Sequence, residues 1–374
     1  MTQIVTPHAH PFRDIPVDLL RGLAITIMVG ANLIPYLLAP PAPFWLRLVS
    51  SVAAPLFIFI SGMMVALSCR TKHYTLSYFL LRGGFVIGIA AFLDLFVMGF
   101  VPFIDTDVLY LIGISLPLAY LFLSLGKRTR LAILIGILIA AFLLRGIVGY
   151  SSLPIMIPAS SLPIMIPASS LPIMIPASSL LHGGMLPDIF AVLSQWFIDG
   201  WFPIFPWLFI ALLGAQAGMF RWHEGTIISF AQRKLAILAV SVLAIGSIVW
   251  FLVPGPLLTR LGYVELFYPP ATGFLLFITG LIFCLFIIAD TLPITWRGFD
   301  PIRALGECSL AIYILHMVII TRVIEPFELQ VPLYVFLAGY LLLITGMIVT
   351  AYLLRYARKK IRTRSFMVRT LIGG

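Results

Sequence analysis

Residues 16–38 read PVDLLRGLAITIMVGANLIPYLL, and this stretch decides the kind of fold that the chain can adopt. Only Asp18 and Arg21 are charged, and both lie near its start. A helix of roughly 20 apolar residues crosses a hydrocarbon core of about 30 Å. The stretch is therefore predicted to span a membrane, with its two charged side chains on one helix face because they are three residues apart.

The rest of the chain has the same apolar character. Of its 374 residues, 61% are hydrophobic and only 10% are charged, whereas a soluble domain carries about 25% charged residues. Such a chain cannot cover itself with a polar surface, so we predict an all-α, polytopic membrane bundle. The three scattered cysteines, Cys69, Cys284 and Cys308, have the spacing of neither a disulfide framework nor a zinc site, and no metal site is predicted.

Ten segments are long and apolar enough to be predicted as transmembrane helices. They are 17–38, 45–69, 75–99, 106–126, 131–150, 201–219, 234–254, 267–290, 303–322 and 331–355. One alternate set of connections and ends holds 18 positively charged residues, and the opposite set holds three. Because positive charge concentrates on the cytoplasmic side, both termini are predicted to be cytoplasmic. We expect a single transmembrane domain over 1–374 in the plasma (cytoplasmic) membrane, with a basic tail at 355–374 that contacts anionic lipid headgroups.

The longest predicted connection, 151–200, contains the unit SSLPIMIPA three times over residues 151–177. Prolines recur twice in every unit and would break a helical hydrogen-bond ladder, so the repeat is predicted to be an extracytoplasmic loop and no eleventh span. No side chain in it can transfer a proton or hold a charge. It is interpreted as a tandem duplication, with an apolar lid over the outer side as the alternative.

Polar groups inside predicted spans are candidates for function because burying them in lipid is costly. The inner half holds Asp18, Arg21 and Arg82, and the outer half holds Asn32, Asp94, Arg145 and His316. Each also has a purely structural interpretation. Asp18 and Arg21 can close the helix entrance as an ion pair, Asp94 can pair with Arg145, and Asn32 and His316 can each form an interhelical hydrogen bond.

Four stretches carry a family resemblance. They are VDLLRGLAITIMVGAN (17–32), SSVAAPLFIFISGMMVAL (50–67), WFPIFPWLFIALLGAQAGM (201–219) and LGECSLAIYILH (305–316). Their Asp-x-x-Arg-Gly, Pro-hydrophobic-Phe, Phe-Pro…Pro-Trp and Tyr-x-x-His patterns, in this order, resemble the heparan-alpha-glucosaminide N-acetyltransferase-like membrane acyltransferases, which are related to acyltransferase family 3.

The resemblance implies transfer of an acyl group, acetyl above all, from cytoplasmic acyl-CoA to a sugar hydroxyl or amine on the far side. Asp18, Arg21 and Arg82 would bind the donor, since guanidinium matches phosphate. His316 would be the base, because the usual histidine pKa of about 6.5 lies near the working pH. Asp94 would orient that base or bind the acceptor, and Asn32 would donate to the oxyanion or the acceptor.

One departure from the family leaves the base open. The heparan-type enzymes carry a catalytic histidine in the loop after the first of these helices, whereas the loop LAPPAPFWLR (38–47) has none. Either His316 or His182, in the LLHGG stretch after the repeat, would take this role; His182 is otherwise a solvated loop residue.

Acidic and tryptophan residues of the outer connections suit a sugar or glycan acceptor, although aromatic residues are expected at a membrane boundary in any case. They are Asp105, Asp107, Asp188, Asp199, Trp196, Trp201 and Trp207. Two other functions stay open: a transporter or flippase of a polar or lipid-linked substrate, and a catalytically inactive relative. The sequence offers no support for nucleic-acid binding and leaves the oligomeric state open.

Overall fold

A computed structural model describes residues 14–148, 189–223, 225–252, 264–268, 270–293, 297–360 and 366–371. Its longer α-helices are α1 (Ile15–Leu37), α2 (Phe44–Lys72), α3 (Leu76–Phe92), α4 (Val108–Ser124), α5 (Lys127–Val148), then, after the short α6 (Ile189–Ser194), α7 (Ile204–Arg221), α8 (Arg233–Leu252) and α9 (Thr272–Thr291). The chain continues with α10 (Asp300–Glu307), α11 (Ser309–Ile319), α12 (Leu333–Lys360) and the short α13 (Phe366–Leu371). The strands β1 (Trp222–His223) and β2 (Thr226–Ile227) pair antiparallel.

The prediction of an all-α membrane bundle is confirmed. Eight helical segments in the described part of the chain are long and apolar enough to cross a membrane, and α4 is a further apolar helix of 17 residues. Each of the ten predicted segments overlaps a helix, and α5 extends over 22 residues. The repeat and His182 lie outside the described residues.

Three helices form the centre of the bundle. In the most apolar 18-residue windows of α1, α2 and α7, 67%, 61% and 72% of the residues are buried, against 17% in α8 and in α12. The apolar side chains of α8 and α12 therefore face outward, where lipid can cover them.

Small residues bring the central helices α2 and α7 into backbone contact. A Cβ atom on Gly62 would lie 1.9 Å from the carbonyl oxygen of Ala211, and one on Gly214 would lie 2.0 Å from that of Phe59. No larger side chain fits at either position. Such close helix crossings are typical of membrane proteins, in which packing has to replace the hydrophobic effect as the force between helices.

A buried arginine joins three helix ends at one end of the bundle, which we call the inner end: α1 begins there, and α7 and α9 end there. Arg221 donates from Nε and Nη2 to Asp14, at 2.5 and 2.9 Å, and from Nη1 and Nη2 to Asp290, at 3.0 and 2.8 Å. Trp222 Nε1 also donates to Asp14 at 3.0 Å, and the Phe230 N–H donates to Asp290 at 2.6 Å. The charge of Arg221 is fully paired, so it has a structural role.

A second ion-pair cluster ties α10 to the last turns of α12. Arg355 donates to both carboxylate oxygens of Glu307, at 2.7 and 3.1 Å, and of Asp300, at 2.9 and 3.0 Å. Arg358 donates to Glu307 at 2.9 Å, and Tyr352 donates to Asp300 at 2.9 Å. Glu307 is thereby assigned to holding helices together.

Candidate functional site

The first contact of the candidate site joins two residues that are 284 positions apart in sequence. Asn32 Nδ2 lies 3.0 Å from His316 Nε2, and His316 Nδ1 lies 3.0 Å from the carbonyl oxygen of Ile312. A carbonyl oxygen can only accept, so Nδ1 carries the ring proton. Nε2 of the neutral ring then holds a lone pair that accepts from the Asn32 amide.

The two partners differ in how open they are. His316 is 0% exposed, whereas Asn32 is half-buried and also donates to Met317 Sδ at 3.3 Å. A molecule that approaches the pair therefore meets Asn32 first, and it reaches Nε2 only when the amide moves aside.

Two carboxylates, each bound by a tyrosine hydroxyl, lie close to this pair. Tyr110 donates to Asp94 Oδ2 at 2.5 Å, and Tyr313 donates to Asp107 Oδ2 at 3.2 Å. The Tyr313 ring meets the His316 ring edge to face, with centroids 5.2 Å apart. We call these six residues, Asn32, Asp94, Asp107, Tyr110, Tyr313 and His316, the outer polar cluster.

Local structure explains how four separate segments converge here. Asp94 lies in a π-helical turn, Leu93–Met98, that extends α3. Asp107 precedes α4 in an extended conformation, and Tyr110 follows within the first turn of that helix. Tyr313 and His316 are three residues apart on α11 and so share one face.

The aromatic and acidic residues predicted for the acceptor have different roles. The Trp196 ring lies 5.6 Å from that of Tyr110, and its Nε1 donates to the carbonyl oxygen of Phe103 at 2.8 Å, so it borders the cluster. Asp105 accepts from the backbone N–H groups of Thr106, at 2.6 Å, and Trp201, at 3.1 Å, which fixes the loop. A third set, Asp188 and the side chain of Asp199, is outside the described residues. Trp207 is 0% exposed and belongs to the core.

The predicted donor-binding residues form two separate arrangements. Arg21 Nη1 lies 3.3 Å from Asp18 Oδ1 and 3.4 Å from the carbonyl oxygen of Gly306, which is the ion pair at the helix entrance that the spacing allows. Arg82 Nη1 donates to the Tyr78 hydroxyl at 3.0 Å. Both arginines are half-buried, and binding of a donor phosphate by either one stays a prediction.

Sequence reasoning placed Asn32, Asp94 and His316 at the same depth but missed two tyrosines. Tyr313 stood in the quoted Tyr-x-x-His pattern, and its spacing from His316 was the available signal. Tyr110 carried no signal, because its partner Asp94 lies 16 residues earlier and only the packing of α3 on α4 joins them. Within the described residues, no group of three or more His, Cys, Asp or Glu side chains is arranged to hold a metal ion.

Comparison with protein families identifies the family of the chain. The family model for the catalytic domain of heparan-alpha-glucosaminide N-acetyltransferase matches residues 13–256, about two-thirds of the chain. The match includes Asn32, Asp94, Asp107 and Tyr110, whereas Tyr313 and His316 follow it in sequence. A search of the curated proteins finds no matching relative. On the extent of the family match, the chain belongs to the heparan-alpha-glucosaminide N-acetyltransferase catalytic family, a family of transmembrane acetyltransferases.

Proposed function

We propose that the protein transfers an acyl group, in the first instance acetyl, from acyl-CoA to an amine or hydroxyl of a sugar on the opposite side of the membrane. Family membership supports acyl transfer in general. The observation that carries the proposal is the outer polar cluster. It gathers a histidine lone pair, an amide and two carboxylates in a membrane bundle. Such groups are costly to bury in a membrane, so their presence indicates a functional site.

The carboxylates suit the acceptor. Asp94 and Asp107 are both half-buried, and each accepts a hydrogen bond from a neutral tyrosine hydroxyl. Two carboxylates held in this way favour an ammonium group or several sugar hydroxyls. The ring of Trp196, which borders the cluster, offers an apolar face for a sugar ring.

His316 is the proposed base. Acceptor binding moves the Asn32 amide away from Nε2, whose lone pair takes the proton from the acceptor nitrogen or oxygen as that atom attacks the thioester carbonyl carbon. The carbon–sulfur bond breaks, the thiolate of CoA leaves and takes the proton that His316 removed from the acceptor, and the acyl group remains on the acceptor. The displaced Asn32 amide is then free to donate to the developing oxyanion. His182 remains the alternative base.

The donor is proposed to enter from the inner end, with Asp18, Arg21 and Arg82 as candidate binding residues. Entry of the donor from this end requires the predicted topology: one domain of ten crossings in the plasma membrane, with both termini cytoplasmic. The helix ends that Arg221 connects support the alternation of the crossings, because α1 begins where α7 and α9 end.

The test is release of CoA by detergent-purified protein given acetyl-CoA and a panel of amino sugars and neutral sugars. We expect the wild type to release CoA in the presence of one acceptor class, and His316→Ala to lose at least about a hundredfold in turnover, as expected for removal of a general base. His182→Ala tests the alternative base, and His223→Ala is the control for loss of an exposed histidine. If the wild type neither binds nor consumes acyl-CoA, the proposed function is wrong.

A further inference from the structure

A cavity of about 460 Å³ opens at the inner end of the bundle, away from the outer polar cluster. The last turns of α2, α4 and α7 form its walls, so it lies where these helices reach the membrane boundary. Arg70 and His73 come from the end of α2, Tyr120 and Ser124 from α4, and Met219 from α7. None of the described residues that line it is acidic.

Arg70 is an arginine without a partner in this cavity. Its Nε atom is buried and makes no hydrogen bond, and no carboxylate pairs with its guanidinium in the described part of the chain. Other arginines with buried guanidinium atoms at this end pair with carboxylates: Arg221 with Asp14 and Asp290, Arg21 with Asp18, and Arg303 with Asp300. Within the described residues, Arg21 Nη2 and Arg303 Nε make no hydrogen bond themselves, but each side chain has this acidic partner. One further arginine is an exception to the pairing. A buried N–H donor without an acceptor is costly, so an anion in the cavity is expected to complete the half-buried Arg70 side chain.

The exception is Arg130, in the first turn of α5. Its side chain is buried, and its Nε and Nη1 atoms also make no hydrogen bond in the described structure. Arg130 follows the cavity residue Ser124 by six positions, in the basic stretch KRTR (127–130). The segment CRTKH (69–73) on the other wall is basic as well. Two basic connections therefore flank the cavity, and the potential there favours a multiply charged anion.

Aromatic side chains extend the basic surface beside the cavity. The Tyr120 ring packs against Phe79 at 5.3 Å, and Tyr78 stacks on Tyr74 at 3.7 Å. The hydroxyl of Tyr78 accepts from Arg82. A ligand with a phosphate at Arg70 would thus meet apolar and aromatic surface next to its charged group.

We propose that this cavity is a binding site for a phosphate group, with Arg70 as its main ligand. Arginine presents a fork of N–H donors that matches phosphate oxygens, and His73 supplies a further donor at the rim. The phosphate belongs either to a soluble phosphate compound or to the headgroup of an anionic lipid in the inner leaflet. The inference does not depend on acyl transfer, because none of the proposed donor-binding residues and neither proposed base is among the described residues that line the cavity.

The experiment has one arm for each source. In the first arm, inorganic pyrophosphate is titrated into delipidated protein in detergent and binding is measured by calorimetry. In the second, the protein is taken from nanodiscs of phosphatidylglycerol and phosphatidylcholine, and bound lipid is measured by native mass spectrometry. Binding of pyrophosphate alone indicates a soluble ligand, and retention of phosphatidylglycerol alone indicates a lipid headgroup.

The matched variants are Arg70→Gln and Arg128→Gln, which remove the same charge from the cavity and from an exposed position nearby. We expect Arg70→Gln to weaken binding by about tenfold or more, as for loss of a charge-assisted hydrogen bond, and Arg128→Gln to change it by less than about twofold. Arg70→Lys keeps the charge but loses the Nε donor, so it should bind with intermediate affinity; it also serves as the folded variant if Arg70→Gln is not stable. No binding in either arm, or equal effects of Arg70→Gln and Arg128→Gln, would overturn the proposal.

Discussion

Asn32 is the residue on which the mechanism and a purely structural interpretation differ most. Its amide holds the His316 lone pair and is the open member of that pair. As a structural group it contributes one interhelical hydrogen bond, worth about 0.6 kcal/mol on average in a membrane protein. As a catalytic group it moves to the oxyanion or to the acceptor, and its loss then affects turnover far more than stability.

We therefore expect Asn32→Ala to lower kcat by roughly a hundred- to a thousandfold, as for a missing oxyanion donor, while Tm falls only slightly. The measurement is kcat and KM for CoA release, together with thermal unfolding in detergent. Thr26→Val is the control on the same helix, because the Thr26 hydroxyl donates only to its own helix, to the carbonyl oxygen of Gly22 at 2.8 Å. A lower Tm with unchanged kcat per folded molecule would assign Asn32 to packing.

Glu265 is a half-buried residue in the connection before α9, outside the membrane-spanning segments. The segment is held against the start of α2: Arg47 Nε donates to the carbonyl oxygen of Val264 at 2.9 Å, and the Leu266 N–H donates to Ser51 Oγ at 2.8 Å. Burial raises the pKa of Glu265 to about 7, against the charge of Arg47, which favours the ionised form. Between the usual glutamate pKa and pH 7, Glu265 therefore holds a proton in the folded protein and has lost it in the unfolded chain.

Because this pKa is raised on folding, its contribution to stability is fully present below the unfolded pKa of about 4.3 and is lost as the pH rises through 7. We expect the Tm of the wild type to fall between pH 5 and pH 8, and that of Glu265→Gln to fall less, so that the variant is the more stable at pH 8. The difference is on the order of 3 kcal/mol at most. Glu328→Gln, an exposed change outside α12, is the control. Parallel curves for the wild type and Glu265→Gln would contradict the prediction.

At the scale of helices, the crossing of α1 and α10 holds the first predicted motif in place. A Cβ atom on Gly22 would lie 1.8 Å from the carbonyl oxygen of Ile302, and one on Gly306 would lie 2.1 Å from that of Asp18. The Asp-x-x-Arg-Gly pattern thus ends in a glycine because the backbones touch there. The same crossing brings Arg21 Nη1 to within 3.4 Å of the carbonyl oxygen of Gly306.

Gly22→Ala is expected to destabilise the protein by about 1–3 kcal/mol or more, as for overpacking of a tight core, since the obstacle is rigid backbone. Gly84→Ala is the matched control: it makes the same substitution inside α3, where a Cβ meets nothing within 4 Å. Thermal unfolding of both variants in detergent is the measurement. Equal Tm values for Gly22→Ala and Gly84→Ala would show that the two helices can separate without cost.

Helices were predictable from the sequence, and their interruptions were not. Apolar length is enough to locate the ten segments, because lipid accepts only fully hydrogen-bonded backbone. The predicted helix 303–322 is in fact broken at Cys308, where φ is −110° and ψ is 25°, and α11 ends in a π-helical turn, Ile320–Ile324. Asp94 also lies in such a turn. These breaks depend on contacts between helices, which the sequence of a single segment does not contain.

The candidate site shows the same limit. Depth along a helix follows from residue number, so Asn32 and His316 were placed at one level, and they touch at 3.0 Å. Which residues face each other depends on the rotation and packing of helices. For this reason the partners of Asp94 and Asp107, Tyr110 and Tyr313, emerged only from the three-dimensional structure.

At the scale of the whole molecule, charged residues differ between the two ends of the bundle. The Arg221 and Arg355 clusters both lie where helices that run in opposite directions meet, and they connect α1, α7, α9, α10 and α12. α12 then ends in ARKK (357–360), whose two lysines, Lys359 and Lys360, are exposed at the same end. At the opposite end, before α12, lies the three-residue helix Glu325–Phe327. Glu325 begins this helix and Glu328 directly follows it, so two acidic residues lie there.

This asymmetry predicts the direction of insertion, since basic connections stay on the cytoplasmic side. In a variant whose three native cysteines are replaced, we expect Glu328→Cys to react with a membrane-impermeant maleimide in intact cells. Lys360→Cys should react only after the membrane is permeabilised. Both positions are exposed, so access and not burial decides the labelling. Labelling of Lys360→Cys in intact cells, with protection of Glu328→Cys, would show the reverse topology. The Arg70 cavity would then lie outside the cell and the outer polar cluster on the cytoplasmic side. In that case the donor could not enter as proposed.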